Sequence, residues 1–177
     1  IQTTIFSYAG VVLGYINVLW LYPYALDATE LGTFRTIQDL GLLLVPFAQL
    51  GIGHGITRFF PQLENQKSAF LSYSLAFSVL GFLIVSVMFF GFKDQIIGLF
   101  ASNSPEVINF LGVALLVTLF ALLGSVLDAY SRSFLKVAIP TFFREVFLRF
   151  LTSVLVAIYL VGWIDFESVM QGLVLVY

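Results

Sequence analysis

Long apolar runs alternate with short polar interruptions along this chain. Crossing about 30 Å of hydrocarbon takes about 20 helical residues. Five runs reach that length, at about Thr4–Leu21, Phe34–Phe59, Ala69–Phe92, Ser104–Tyr130 and Thr141–Val161. A sixth begins after Asp165 and is still running at Tyr177. None alternates with period two, and all are too long for strands. The expected fold is all-α: a polytopic transmembrane helix bundle of about six helices.

The run ends agree with that reading. Trp20, Tyr22 and Tyr24 crowd the end of the first run, as amphipathic rings do at headgroup level. Asp27-Ala28-Thr29-Glu30 has the spacing of a capping box before the second. Ser104-Pro105 is an N-cap followed by proline at the first helical position. Lys93–Asn103, with Ile96, Ile97, Leu99 and Phe100, has the pattern of a short amphipathic segment on the membrane surface. No stretch has the composition of an interdomain linker, so residues 1–177 are expected to form one bundle. Both ends lie in apolar runs, and the chain is expected to be a fragment cut at each.

Composition narrows the class. The chain is 60% hydrophobic and 10% charged, where a soluble domain is about 45–50% apolar and about 25% charged. Cysteine is absent and there is one histidine, which excludes disulfides and a multi-histidine metal site within this chain. No cofactor is called for. A net charge of −2 gives no reason to expect nucleic acid as a partner. Basic residues cluster after the second and fourth runs (Arg58, Lys67, Arg132, Lys136, Arg144), whereas the other connections hold only Arg35 and Lys93. Lys and Arg concentrate in cytoplasmic loops, so a cytoplasmic N-terminus is expected.

Polar residues inside the runs are the candidates for function, since each costs about 2.5–3.5 kcal/mol at mid-membrane if charged. The first run carries Thr3, Ser7, Gly10, Gly14 and Asn17 on one face. Gly10 and Gly14 make a GxxxG, so this face is either a packing seam or a cavity wall with Asn17 as a polar contact. The second run has a stripe of Arg35, Asp39, Leu42, Pro46, Gln49, Gly53 and Thr57. Arg35 and Asp39 are spaced to pair. Pro46 should kink the helix, and Gly51, Gly53 and Gly55 should loosen its end, so these four residues are the expected hinge. The run is read either as an ordinary buried helix or as a hinged helix lining a transport path. His54, four residues before Arg58, is read as an interfacial group ahead of a proton relay. Asp128 and Arg132, four apart near the cytoplasmic surface, are expected to pair, and Glu145–Arg149 is a further pair in the favourable acid-first order. Counted from Thr141, Arg149 lies about 12 Å into the fifth helix. It is then either neutralised by Glu145 or facing a wet cavity.

No GxSxG, HExxH or Walker loop is present, so the chain is expected not to be an enzyme and cannot itself drive transport with ATP.

Tyr22-Pro23-Tyr24, then Glu30-Leu31-Gly32-Thr33-Phe34-Arg35, then Arg58-Phe59-Phe60-Pro61 and Pro140-Thr141-Phe142-Phe143-Arg144-Glu145 follow one another along the chain. This order resembles the bacterial polysaccharide and O-antigen flippases of the multidrug/oligosaccharidyl-lipid/polysaccharide exporter superfamily. The resemblance runs from Ile1 to Tyr177 and rests on short motifs and topology. It implies the N-terminal lobe of a two-lobe transporter in the bacterial inner membrane. That transporter would move a polyprenyl-pyrophosphate-linked oligosaccharide outward by alternating access, for polysaccharide or lipopolysaccharide biosynthesis. The partners implied are the lipid bilayer, the lipid-linked oligosaccharide, and H+ or Na+ as coupling ion. Arginine suits a pyrophosphate because its planar fork donates two bonds at once. Arg149 and Arg35, with Arg144 at the entrance, are the candidates for that contact, and Asn17 and Gln49 for the sugars. Two rivals stand beside this reading. One is a cation-coupled multidrug exporter of the same superfamily, disfavoured because the first run has Asn17 and no acid. The other is a non-transporting membrane scaffold.

Overall fold

A computed structural model describes residues 2–63, 66–101 and 104–177, with the side chain of Leu99 outside the description. The described residues are helical, with no strand among them. Helix α1 spans Gln2–Ala25, α2 Ala28–Gln49, α3 Ile52–Phe59 and α4 Lys67–Gly91. The short α5 spans Lys93–Ala101, within the expected surface segment, whose end at Asn103 lies outside the described residues. Helix α6 spans Pro105–Ser133, opening with a 3-10 stretch at Pro105–Phe110. Helix α7 covers residues 138–160, and α8 Phe166–Val176.

Three of these helices, α1, α4 and α6, are long and apolar enough to cross a membrane, and α2 with α3 makes a fourth if that bent pair is one span. The expected count of about six is not reached, for identifiable reasons. Arg144, Glu145 and Arg149 crowd the first half of α7, making it too charged to qualify. Helix α8 has only 11 residues, about 16 Å at 1.5 Å per residue.

The surface of α4 is inverted relative to a helix that meets water. Its buried face is small or apolar (Ser74, Ser78, Gly81, Val85, Phe89). Its outer face presents Leu80, Leu83, Val87 and Phe90, with Val87 72% exposed. Water would penalise that arrangement, whereas acyl chains match it.

The chain forms two compact units, residues 1–35 with 136–177 and residues 36–135, and the boundary falls inside α2. In the first unit α1 and α8 both lie against α7. Val169, Met170 and Leu173 of α8 are fully buried, as is Val156 of α7. Gly162, at φ 81°, turns the chain out of α7. Trp163 and Gly162 N–H groups return to the Ile158 and Tyr159 carbonyls, the double bond of a glycine-terminated helix. The capping box also forms: Glu30 N–H donates to Asp27 Oδ1 at 2.7 Å, and Asp27 N–H to Glu30 Oε2 at 3.1 Å.

In the second unit, Ala48, Val85 and Leu122 make a core with Leu44, Val45 and Phe82 around them. A Cβ on Gly81 would overlap the Ala48 carbonyl oxygen, so α4 touches backbone there. Thr118 Oγ1 donates to the Gly41 carbonyl at 2.9 Å, fixing α6 on α2.

The break between α2 and α3 lies beyond the expected Pro46. Pro46 sits inside continuous helix, and the 52° bend falls at Leu50 and Gly51, whose φ values are 49° and 77°. Two consecutive left-handed residues reverse the sense of the backbone, which the loss of one amide donor at Pro46 does not. Gly53 and Gly55 lie inside α3 with ordinary backbone.

Candidate functional site

The polar residues of the first unit meet where α1 lies on α7. Close approach depends on the small face of α1. A Cβ on Gly10 would stand 2.6 Å from the Glu145 carbonyl oxygen, and one on Gly14 2.6 Å from Arg149 Nη1. Each helix carries a π turn nearby, at Asn17–Leu21 and Phe142–Phe147. The Tyr22 N–H reaches the Asn17 carbonyl and the Leu148 N–H the Phe143 carbonyl, five residues back in both cases. Such turns widen a helix and re-aim the side chains beyond them, and they recur at functional sites.

Arg149 is eleven residues after Ala138, where α7 begins, so it stands roughly 16 Å along the axis at about 1.5 Å per residue. That is the middle of the helix. Its guanidinium donates to the Gly10 carbonyl and, at 3.1 Å, to Glu145 Oε2. The other carboxylate oxygen of Glu145 accepts from Arg144 Nε at 3.2 Å. One carboxylate thus lies between two guanidiniums. The Arg149 side chain remains 38% exposed and that of Arg144 56%, so both can be reached from outside.

Arg35, half-buried near the start of α2, and Arg149 both lie within electrostatic reach of the Tyr22 hydroxyl. Tyr22 is buried and stacks edge-on to Phe34 at 5.6 Å.

Asn17, expected as a sugar contact, is placed elsewhere in the scheme. It is 3% exposed. Its amide donates to the Arg149 carbonyl at 3.1 Å, and its oxygen accepts from the Ser153 hydroxyl at 2.7 Å. With both ends of the amide occupied, Asn17 holds the backbone that carries Arg149 and has no surface to offer a ligand.

Among the described residues neither Arg35 nor Asp39 enters an ion pair, although their spacing allows one. The physical reason is their order. Base-first pairs at i,i+4 are weaker than acid-first ones, and both acid-first pairs form. Besides Glu145–Arg149, Arg132 makes two bonds to Asp128, at 2.9 and 2.8 Å. Gln49 belongs to the second unit, where its amide reaches Ser125 Oγ at 3.4 Å. His54 is exposed on α3.

Tyr22 and Ser153 were not among the sequence candidates. Ser153 is four residues after Arg149, so helical spacing alone could have found it. Tyr22 could not be found that way. It follows Asn17 by five residues, one π turn, and a 3.6-residue period puts it on another face.

No family model, curated protein or solved structure matches the chain.

Proposed function

We propose that this protein works in a membrane as a flippase for a polyprenyl-pyrophosphate-linked oligosaccharide, with Arg149, Arg35 and Arg144 receiving the pyrophosphate. The carrying observation is the Arg149 guanidinium, placed mid-helix on α7, shared with Glu145 and still 38% exposed, beside a helix of membrane-spanning length. Isolated cations at membrane depth are expensive, and they persist where they meet a partner or a wet path. A pyrophosphate is the partner this geometry suits. Its oxygens compete with the Glu145 carboxylate for the Arg149 guanidinium, since either group can accept two parallel bonds from that planar fork. As the phosphate binds, Glu145 keeps Arg144, so neither acid nor base is stranded. Asn17 holds the Arg149 backbone during the exchange.

In this reading the chain forms the N-terminal lobe of a two-lobe transporter in a bacterial inner membrane, with its N-terminus cytoplasmic. Alternating access needs an element with two arrangements. The bend at Leu50–Gly51 supplies one, because two left-handed residues separate two continuous helices.

The test is transfer of a fluorescent polyprenyl-pyrophosphate disaccharide across proteoliposomes. Arg149→Ala should slow transfer at least tenfold, the equivalent of about 1.4 kcal/mol. Arg149→Lys should fall between, keeping charge and losing the fork. Normal transfer by Arg149→Ala overturns the proposal.

A further inference from the structure

At one end of the second unit, where α3 stops and α4 begins, three rings close on one another. Phe60 stands 5.4 Å from Tyr130 and 4.6 Å from Phe134, and Tyr130 stands 5.1 Å from Phe134, all edge to face. Lys67, the first residue of α4, holds its ammonium 5.0 Å from the centre of Phe60 and 5.7 Å from that of Phe134. Its carbonyl accepts from the Tyr130 hydroxyl at 3.1 Å, tying this helix end to the rings.

Among the described residues that ammonium has no carboxylate and no hydrogen-bond acceptor. The ring faces attract it on one side. They accept none of its three N–H bonds in the ordinary way. Lys67 also stands at the positive end of a 25-residue helix, where a cation is disfavoured unless an anion answers it. The same end carries Arg58, whose guanidinium lies over Phe59 at 5.8 Å and which has no acidic partner among the described residues. Beside these cations the surface turns apolar. Phe134 is half exposed, and Leu135, at φ 61°, projects with 90% exposure.

A cation backed by rings, a second cation with no acidic partner among the described residues, and a projecting aliphatic chain complement a molecule with a phosphate above acyl chains. We propose that this end of the second unit binds an anionic phospholipid, its phosphate on the Lys67 ammonium and its acyl chains along Phe134 and Leu135. Arg58 adds long-range attraction to the negative headgroup. A free phosphate would satisfy Lys67 and leave Leu135 unexplained, so the lipid is the ligand. The inference rests on the membrane placement above and is independent of the flipped substrate.

The test is native mass spectrometry of the protein from nanodiscs of phosphatidylcholine with increasing phosphatidylglycerol. Wild-type protein should retain phosphatidylglycerol in preference to phosphatidylcholine. Lys67→Met should weaken that retention about fivefold, the effect of one cation near an anionic surface. Lys67→Arg, which keeps charge and ring contact, should restore it. If Lys67→Met does not fold, Phe134→Leu serves instead and should lower retention about twofold by removing one ring face. Equal retention by wild type and the variant that folds overturns the site. So does equal retention of both lipids by wild type, or complete displacement by inorganic phosphate, which would mark a soluble-anion site. A protein that fails to flip the oligosaccharide and still shows the Lys67-dependent preference loses the first proposal and keeps this one.

Discussion

The two units bring helices equally close and do so with different chemistry. In the first, Gly10 and Gly14 open a gap that backbone and a guanidinium fill, so the glycine pair and the charged cluster are one structure. In the second, the tight contacts are at Gly41 and Gly81, neither of which belongs to a GxxxG. The bonds across them are neutral, from Thr118 and Gln49, and the cations lie toward helix ends. The second unit does contain a GxxxG, Gly51 and Gly55, yet nothing lies within 4 Å of where their Cβ atoms would be. Gly51 is there for a left-handed backbone and Gly55 for neither reason. The same motif therefore marks close packing in one unit and a helix break in the other. What separates them is whether a neighbouring backbone is waiting.

That difference can be broken by substitution. The largest effect belongs to Gly81→Ala, whose Cβ would collide with the Ala48 carbonyl, a backbone atom that cannot turn aside. A loss of about 3 kcal/mol is expected, at the upper end for overpacking. Gly10→Ala meets the Glu145 carbonyl less severely and should lose about 2 kcal/mol. It should also loosen the Arg149–Gly10 contact. Unfolding in mixed detergent micelles reads both, and equal stability of Gly81→Ala and wild type would refute the packing argument.

The glycines without neighbours should behave oppositely. Gly51→Ala places a Cβ at φ 77° and should lose about 1 kcal/mol. Gly55→Ala, in ordinary helix with open space, should gain about 0.5 kcal/mol from reduced freedom of the unfolded chain. Two changes of the same chemistry within one motif, with opposite signs, would show that conformation decides here. Two losses of similar size would mean that Gly55 has a neighbour after all.

How far the sequence carries differs between the units for related reasons. Features set by neighbours along the chain were legible: the capping box of Asp27 and Glu30, and the acid-first pair Asp128–Arg132. Features set by irregular backbone were not. Pro46 drew the expected kink, but the bend fell at Leu50–Gly51, because a left-handed Leu leaves no mark in composition. The π turns had the same effect on the site. They re-aimed Tyr22 and tied Asn17 to Arg149, so the amide expected to meet a sugar became a fixture between helices. The count of spans went astray through charge. The three ionised residues that make α7 interesting are the ones that keep it from qualifying as a span, by charge.

The smallest expected effect tests whether the first unit is the more sensitive to acid, as its reliance on carboxylates suggests. Asp165 caps α8, its Oδ1 accepting from the Ser168 N–H at 3.1 Å. The Ser168 side chain first, and this N–H second, hold the carboxyl below its ordinary value of 3.8. A group whose folded value is depressed adds stability above its unfolded value and loses it as pH falls through the folded one. The contribution should therefore be complete above about pH 4 and fade below that. Protection of the Ser168 amide against hydrogen exchange should follow the same course, after correction for the intrinsic rate. Asp165→Asn keeps a good cap and cannot titrate, so its protection should stay flat over the same interval. If the two proteins lose protection together, the Asp165 carboxylate is not the group whose protonation matters, and its cap does not account for the loss.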